Sequence, residues 1–304
     1  MNGDTCLSVG RRRPRLAVLG GQGLGDNLIE MVLAENARRC GWKTTFYGSG
    51  LLSLASWFPG HCLEKTLPTR AYNATLSRFE RILSPLPPPS GLDHELQQRW
   101  MNYNDEMSPV TTRVDNLATL SRRLFATGDI GTGNGIVPPE ELVPRRFLHR
   151  VCLHPTSAEL SKNWLPARFF ALGQRLEAQG FEVAIIMARD EYLEWKPLVN
   201  GRFPLHGFAT VADCAAFVYE SGYFIGNDSG GGHLASCLGV PTLSIHGRRG
   251  KAMAWRPGWG TVEVVTPPFN LVGSRLRQCA WKYLLSVREV ERRFFRLVRA
   301  TKME

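Results

Sequence analysis

Residues 15–48 read RLAVLGGQGLGDNLIEMVLAENARRCGWKTTFYG, and the fold follows from this stretch. Arg15–Gly20 is a short apolar run closed by glycine, which predicts a buried strand. From Asn27 to Arg39, Leu28, Met31, Val32 and Leu33 share one helical face, and Gly41 ends the segment. Lys43–Gly48 returns to strand character. Strand, glycine turn, helix and strand in this order make a βαβ unit, and such a crossover implies a parallel sheet.

Further along, Leu83–Gly91 carries Pro85, Pro87, Pro88 and Pro89, which excludes helix or central strand there. Helices are predicted over Asp93–Trp100 and Val114–Phe125. Thr127–Pro144 then holds four glycines and three prolines, the composition of a domain boundary. The alternation restarts beyond it. Val151–His154, Phe181–Met187, Tyr223–Gly226, Val240–His246 and Val262–Val265 read as strands. Ala167–Gln179, Val211–Glu220, Gly232–Leu238 and Ser286–Ala300 read as helices. Two α/β arrays in 304 residues fit the size at which a single core stops growing.

Apolar residues make up 43% of the chain and charged residues 21%, values of a globular protein rather than a disordered one. No apolar run nears the roughly 20 residues of a membrane-spanning helix. Pro14 follows the N-terminal arginines where a signal peptide would carry its apolar core. A cytoplasmic location is therefore expected. Net charge is +10, with basic clusters at Arg11–Arg15, Arg145–Arg150, Arg248–Lys251 and Arg288–Arg299. No nucleic-acid-binding signature accompanies them. A phosphorylated substrate or an anionic membrane surface is the better match for this charge. The seven cysteines are scattered and form no C-x-x-C pair, so they are expected to be reduced and structural.

Three segments carry chemistry. In the first turn, Gly20-Gly21-Gln22-Gly23-Leu24-Gly25-Asp26, the dinucleotide pattern fails because Asp26 stands where its last glycine is required. Asp26 repels phosphate, so this turn should meet a hydroxyl; the residue is either a helix cap or a general base. In the second turn, Gly226-Asn227-Asp228-Ser229-Gly230-Gly231-Gly232-His233, consecutive glycines opening a helix expose N–H groups suited to a diphosphate. Packing is a poor explanation for such a run, since each glycine costs roughly 0.5–1 kcal/mol of helix stability. The third segment, His154-Pro155-Thr156-Ser157 with Lys162-Asn163-Trp164 downstream, sits at the carboxyl end of a strand, where open α/β sheets bind ligands. Lys162 offers a mobile positive charge for a phosphate.

Together these segments resemble glycosyltransferase family 9, the ADP-heptose:lipopolysaccharide heptosyltransferases. The resemblance rests on Gly25-Asp26, on His154-Pro155 with Lys162-Asn163-Trp164, and on Asp228-Ser229-Gly230-Gly231-Gly232-His233-Leu234-Ala235 followed by Gly239-Val240-Pro241-Thr242. It implies a GT-B fold, two Rossmann-like domains with parallel sheets facing across a cleft. Residues 1–147 would bind the acceptor and 148–304 the nucleotide sugar, with the last helix free to pack back on the first domain. It further implies transfer with inversion and no bound metal or cofactor, ADP-heptose being a substrate; no D-x-D motif occurs in the chain.

By the same resemblance Asp26 is the base and Lys162 neutralises the leaving diphosphate. His154, Thr156, Ser157, Asp228, Ser229, Gly230, Gly231, Gly232 and His233 hold the donor, while Gly23 and Gly25 face the acceptor. That acceptor would be a lipopolysaccharide core, met at the cytoplasmic face of the inner membrane. Gly231, Gly232, the basic run Arg248-Arg249-Gly250-Lys251 and the run Trp255-Arg256-Pro257-Gly258-Trp259 depart from the family pattern. They leave room for another nucleotide sugar serving a surface polysaccharide. A nucleotide-sugar 2-epimerase of the same fold and a non-catalytic sugar-nucleotide-binding protein are the other readings.

Overall fold

A computed structural model describes residues 12–125, 128–269 and 280–302. The predicted βαβ unit is present: β1 (Arg15–Leu19), helix α1 (Leu24–Arg39) and β2 (Lys43–Tyr47), with the two strands parallel. With β3 (Cys62–Glu64), β4 (Arg81–Ser84) and β5 (Trp100–Asn102) they form a five-stranded sheet in the order β3-β2-β1-β4-β5. Val18 at its centre lies opposite both Phe46 and Leu83. Leu16, Ala17 and Val18 are fully buried, as expected of a strand covered on both faces.

A second parallel sheet of six strands runs in the order β11-β10-β9-β6-β7-β8. Its strands are β6 (Phe147–His154), β7 (Glu182–Ala188), β8 (Leu205–Phe208), β9 (Ser221–Asn227), β10 (Thr242–Ile245) and β11 (Val262–Val265). Helices precede or follow each crossover. Those that matter below are the helix Arg113–Leu124 of the first domain and the helix Gly230–Cys237 of the second, called the donor-side helix. One continuous apolar cluster joins Leu28, Met31 and Val32 of α1 to Leu234 and Ala235 of the donor-side helix. The domains therefore share a buried interface.

The segment joining them is fastened to α1. Asn36 donates its amide to Gly131 O at 2.9 Å and accepts from Gly131 N–H at 3.0 Å, so it pairs with the linker as another peptide would. Further along the linker, Asn134 donates to Leu28 O at 3.2 Å.

Several expectations need correction. β4 enters the proline-rich stretch by two residues and stops one residue before Pro85, so the excluded segment begins later than the prolines suggested. The helix Tyr192–Val199 escaped prediction because Pro197 lies inside it. The C-terminal helix, Val287–Thr301, does not pack back on the first domain. It lies on β10, β11 and the helix Pro166–Glu177 of the second. Phe294 is its anchor, with ring centroids 5.1 Å from Phe181 and 5.2 Å from Tyr223. Ser286 caps the helix by accepting the Glu289 N–H. The five described cysteines are free thiols; Cys6 and Cys279 lie outside the described residues.

Replacing Phe294 by Ala should cost about 3–5 kcal/mol, because Phe181, Tyr223 and Phe295 would line the void. Urea unfolding measures this. A loss below about 1 kcal/mol would mean that the helix is not held by this ring.

Candidate functional site

A cleft of about 750 Å³ opens between the two domains at the carboxyl ends of β1, β6, β9 and β10. Its position follows from parallel topology, which directs these strand ends, and the turns after them, to one side of each sheet. Gly23, Gly25 and Asp26 line one wall. His154, Thr156, Ser157, Lys162, Asp228, Ser229, Gly230, Gly231 and His233 line the other. Gly232 alone among the expected residues does not line the cleft. It is buried behind the wall, where a Cβ would lie 3.5 Å from Pro257.

α1 begins at Leu24 with Gly23 in the cap position, three residues earlier than its apolar pattern suggested. Asp26 is thus not the cap residue. It sits in the first turn, where the Gly23 backbone N–H faces its carboxylate and favours the charged form. Burial raises the proton affinity of Asp26 above that of an ordinary aspartate. The Gly23 bond and the charges of Arg113 and Lys162 act in the opposite direction, and Asp228 adds to the rise.

Gly25 and Gly230 have a steric task. A Cβ on Gly25 would come within 2.8 Å of the His233 ring, and one on Gly230 within 3.0 Å of both Leu24 Cβ and Gly25 N. The helix N-termini of the two domains can meet because neither residue carries a side chain there. A Cβ on Gly231 would lie 3.2 Å from the Phe224 ring. Packing therefore accounts for part of a glycine run whose sequence suggested phosphate binding alone.

The opposite wall is wired by short contacts. Lys162 Nζ lies 3.4 Å from Asp228 Oδ2 and 3.5 Å from Glu159 Oε1. His246 Nδ1 approaches the same Asp228 oxygen at 3.8 Å, while its Nε2 lies 2.9 Å from Ser244 Oγ. Asn227 joins the end of β9 to the neighbouring loop, donating to Pro155 O at 2.7 Å and accepting the Trp164 N–H at 3.0 Å. Thr156 donates to Glu191 at 3.0 Å. Ser229 occupies the cap of the donor-side helix, yet its hydroxyl is buried and unbonded. His154 Nδ1 and His233 Nδ1 are also buried without partners. Unpaired buried polar atoms are costly, and three of them around one cleft mark a place for a polar ligand.

Reasoning from sequence missed Glu191, His246 and Trp281 as cleft residues. His246 was findable, since it follows β10 as His154 ends β6. Trp281 was not: it arrives from far along the chain and donates to Ser161 O at 3.0 Å. Trp255 also lines the cleft, and the Arg113 guanidinium of the first domain covers its ring at 4.9 Å. Trp259 donates to Thr132 O at 2.7 Å, and Gly258 leaves room for Val114. The Trp255–Trp259 run is therefore part of the domain contact.

Residues 143–261 match the family model of glycosyltransferase family 9 (heptosyltransferase). This stretch is similar to family 9 glycosyltransferases. It contains β6, the Lys162 loop and the donor-side helix, the portion that carries most of the motifs. Lipopolysaccharide heptosyltransferase 3 of Escherichia coli is 29% identical over 114 residues, which span 35% of this chain and 33% of that protein. The chain thus matches about a third of the length of this curated relative.

Solved structures extend the likeness to both domains. The E. coli heptosyltransferase WaaC with ADP superposes with a TM-score of 0.70 at 12% identity, over 93% of this chain and 99% of that one. A family 9 glycosyltransferase from Veillonella parvula gives 0.72 at 14% identity, over 93% and 97%. The fold is GT-B, as the family resemblance implied. Among the described residues no helix is long and apolar enough to cross a membrane, and no group of three or more His, Cys, Asp or Glu could hold a metal ion.

Burial lowers both His154 and His233 to about 4, so both are neutral in the folded protein near pH 7. In the unfolded chain each takes a proton near about 6.5. The unfolded state therefore binds more protons between these values, and stability is lost as pH falls from about 6.5 toward 4. Urea midpoints measured across this range should decline more steeply for the wild type than for His233→Gln. Parallel curves would remove His233 from this account.

Proposed function

We propose that the chain is an inverting, metal-independent glycosyltransferase that moves heptose from ADP-heptose to a lipopolysaccharide core acceptor. The observation that carries this reading is the opposition of Asp26 on one domain to the Lys162–Asp228 pair on the other, across one cleft. A hydroxyl of the acceptor, bound beside Gly23 and Gly25, gives its proton to Asp26 as its oxygen bonds to the anomeric carbon. The bond from that carbon to the diphosphate breaks on the opposite side. Inversion follows from this geometry of attack.

The leaving diphosphate collects negative charge, which the Lys162 ammonium and the N–H groups opening the donor-side helix offset. Asp228 is itself an anion and would repel a phosphate. Its part is to orient Lys162, with His246 on its other side. The unbonded hydroxyl of Ser229 and the ring nitrogens of His154 and His233 supply further contacts for the donor. Glu191, already bonded to Thr156, offers a carboxylate oxygen to sugar hydroxyls in the same cleft. An acceptor borne on a lipid would bring the protein to the cytoplasmic face of the inner membrane, where its net charge of +10 favours an anionic surface.

Asp26→Asn should lower turnover by roughly 10²–10⁴-fold, the usual worth of a positioned base, while ADP binding stays unchanged. Calorimetry with ADP and product analysis with a core-truncated lipopolysaccharide separate the two effects. Near-normal turnover would sink the base assignment.

A thermal-shift panel tests the donor. ADP and ADP-heptose should raise the melting temperature, and UDP- and GDP-sugars should not, because only a ligand of the folded state stabilises it. Lys162→Ala should weaken the ADP effect. Equal shifts from all three nucleotides would count against ADP-heptose as the donor.

A further inference from the structure

Glu30 is buried on α1, one helical turn beyond Asp26 and on the same face. Its Oε2 accepts the Gly21 N–H at 2.8 Å and the Asn27 amide at 3.4 Å, and its Oε1 bonds the Tyr103 hydroxyl. The Asn27 amide also donates to Gly21 O at 2.8 Å. Both peptide groups of Gly21 are thereby held. Gly21 in turn backs Asp26: a Cβ there would lie 3.1 Å from Asp26 Cβ and 3.5 Å from its carboxyl carbon.

We propose that Glu30 is a positioning residue for Asp26, fixing the turn against that carboxylate and setting its basicity through its own charge. The inference rests on the reading of Asp26 as the base. A glutamine could accept from Gly21 with its oxygen and donate to the Tyr103 hydroxyl with its amide, without the cost of burying a carboxylate, so the charge itself requires a reason. Burial moves Glu30 up to about 7; the bonds from Tyr103 and Gly21 oppose the rise, and the charge of Asp26 adds to it.

The groups facing Glu30 are Asp26 on its own helix and Tyr103 from the short 3₁₀ turn Tyr103–Glu106. Arg113, opening the helix Arg113–Leu124, acts on both of those partners. When Glu30 ionises near neutrality, a second negative charge one turn away makes Asp26 the stronger base.

The test follows the side-chain carboxyl carbon of Asp26 by ¹³C NMR through a pH titration of the full chain. The wild type should show a second inflection near pH 7, coincident with the titration of Glu30. Glu30→Gln should abolish that inflection. Tyr103→Phe should move it to higher pH, because the hydroxyl no longer stabilises the carboxylate.

With ADP-heptose and core-truncated lipopolysaccharide, wild-type kcat should rise roughly tenfold through the same step. In Glu30→Gln, kcat should stay at the lower level with the donor KM unchanged. If Glu30→Gln does not fold, Tyr103→Phe carries the test alone. A single Asp26 inflection indifferent to both substitutions, or an unaltered kcat profile in either folded variant, overturns the proposal. Near-normal turnover in Asp26→Asn would instead remove the base reading and leave the NMR coupling standing.

Discussion

The cleft exists because two helix N-termini approach until almost no space separates them. Gly25 on α1 and Gly230 on the donor-side helix make that contact, with the His233 ring seated against Gly25. A methyl group at either position would force backbone or ring aside. Each domain brings one wall of the cleft. Asp26 comes with α1, while Lys162 and Asp228 come with the second sheet. The distance between Asp26 and the Lys162–Asp228 pair is therefore a property of an interface, and glycine sets it.

The two walls solve the problem of buried polar groups differently. On the first domain, burial raises the proton affinity of both Asp26 and Glu30, and peptide N–H groups restrain both rises. On the second, His154 and His233 are kept neutral and partly unbonded. One wall thus holds carboxyl groups that keep their protons longer than usual, and the other holds histidines kept uncharged. Lys162, paired with Asp228, places a positive charge on that second wall.

Much of this could be read from residues alone, where local pattern and site coincide. The βαβ opening, the strand-end position of His154 and the glycine run after β9 were each legible in one unbroken stretch of sequence. What could not be read depends on contacts distant in sequence. Nothing local marks Glu30 as more than a polar residue on an apolar helix; its meaning comes from Tyr103, 73 residues away. The sequence likewise assigned all three glycines of the donor turn to phosphate, because the helix facing them lay some 200 positions earlier in the chain. Pro197 hid a helix, and the WRPGW run looked like a change of donor specificity where it proves to be part of the domain contact.

The pairing of Asn36 with Gly131 has a consequence for how such proteins diversify. The crossing between domains is zipped along the helix whose opposite end holds Asp26. An exchange of C-terminal halves between relatives, made at the start of β6, would leave linker and helix together on the same parental fragment. A breakpoint at that seam keeps Asn36 with Gly131, whereas one inside the glycine-rich linker ahead of Gly131 separates them. The linker therefore travels with the first domain, and β6 opens the second.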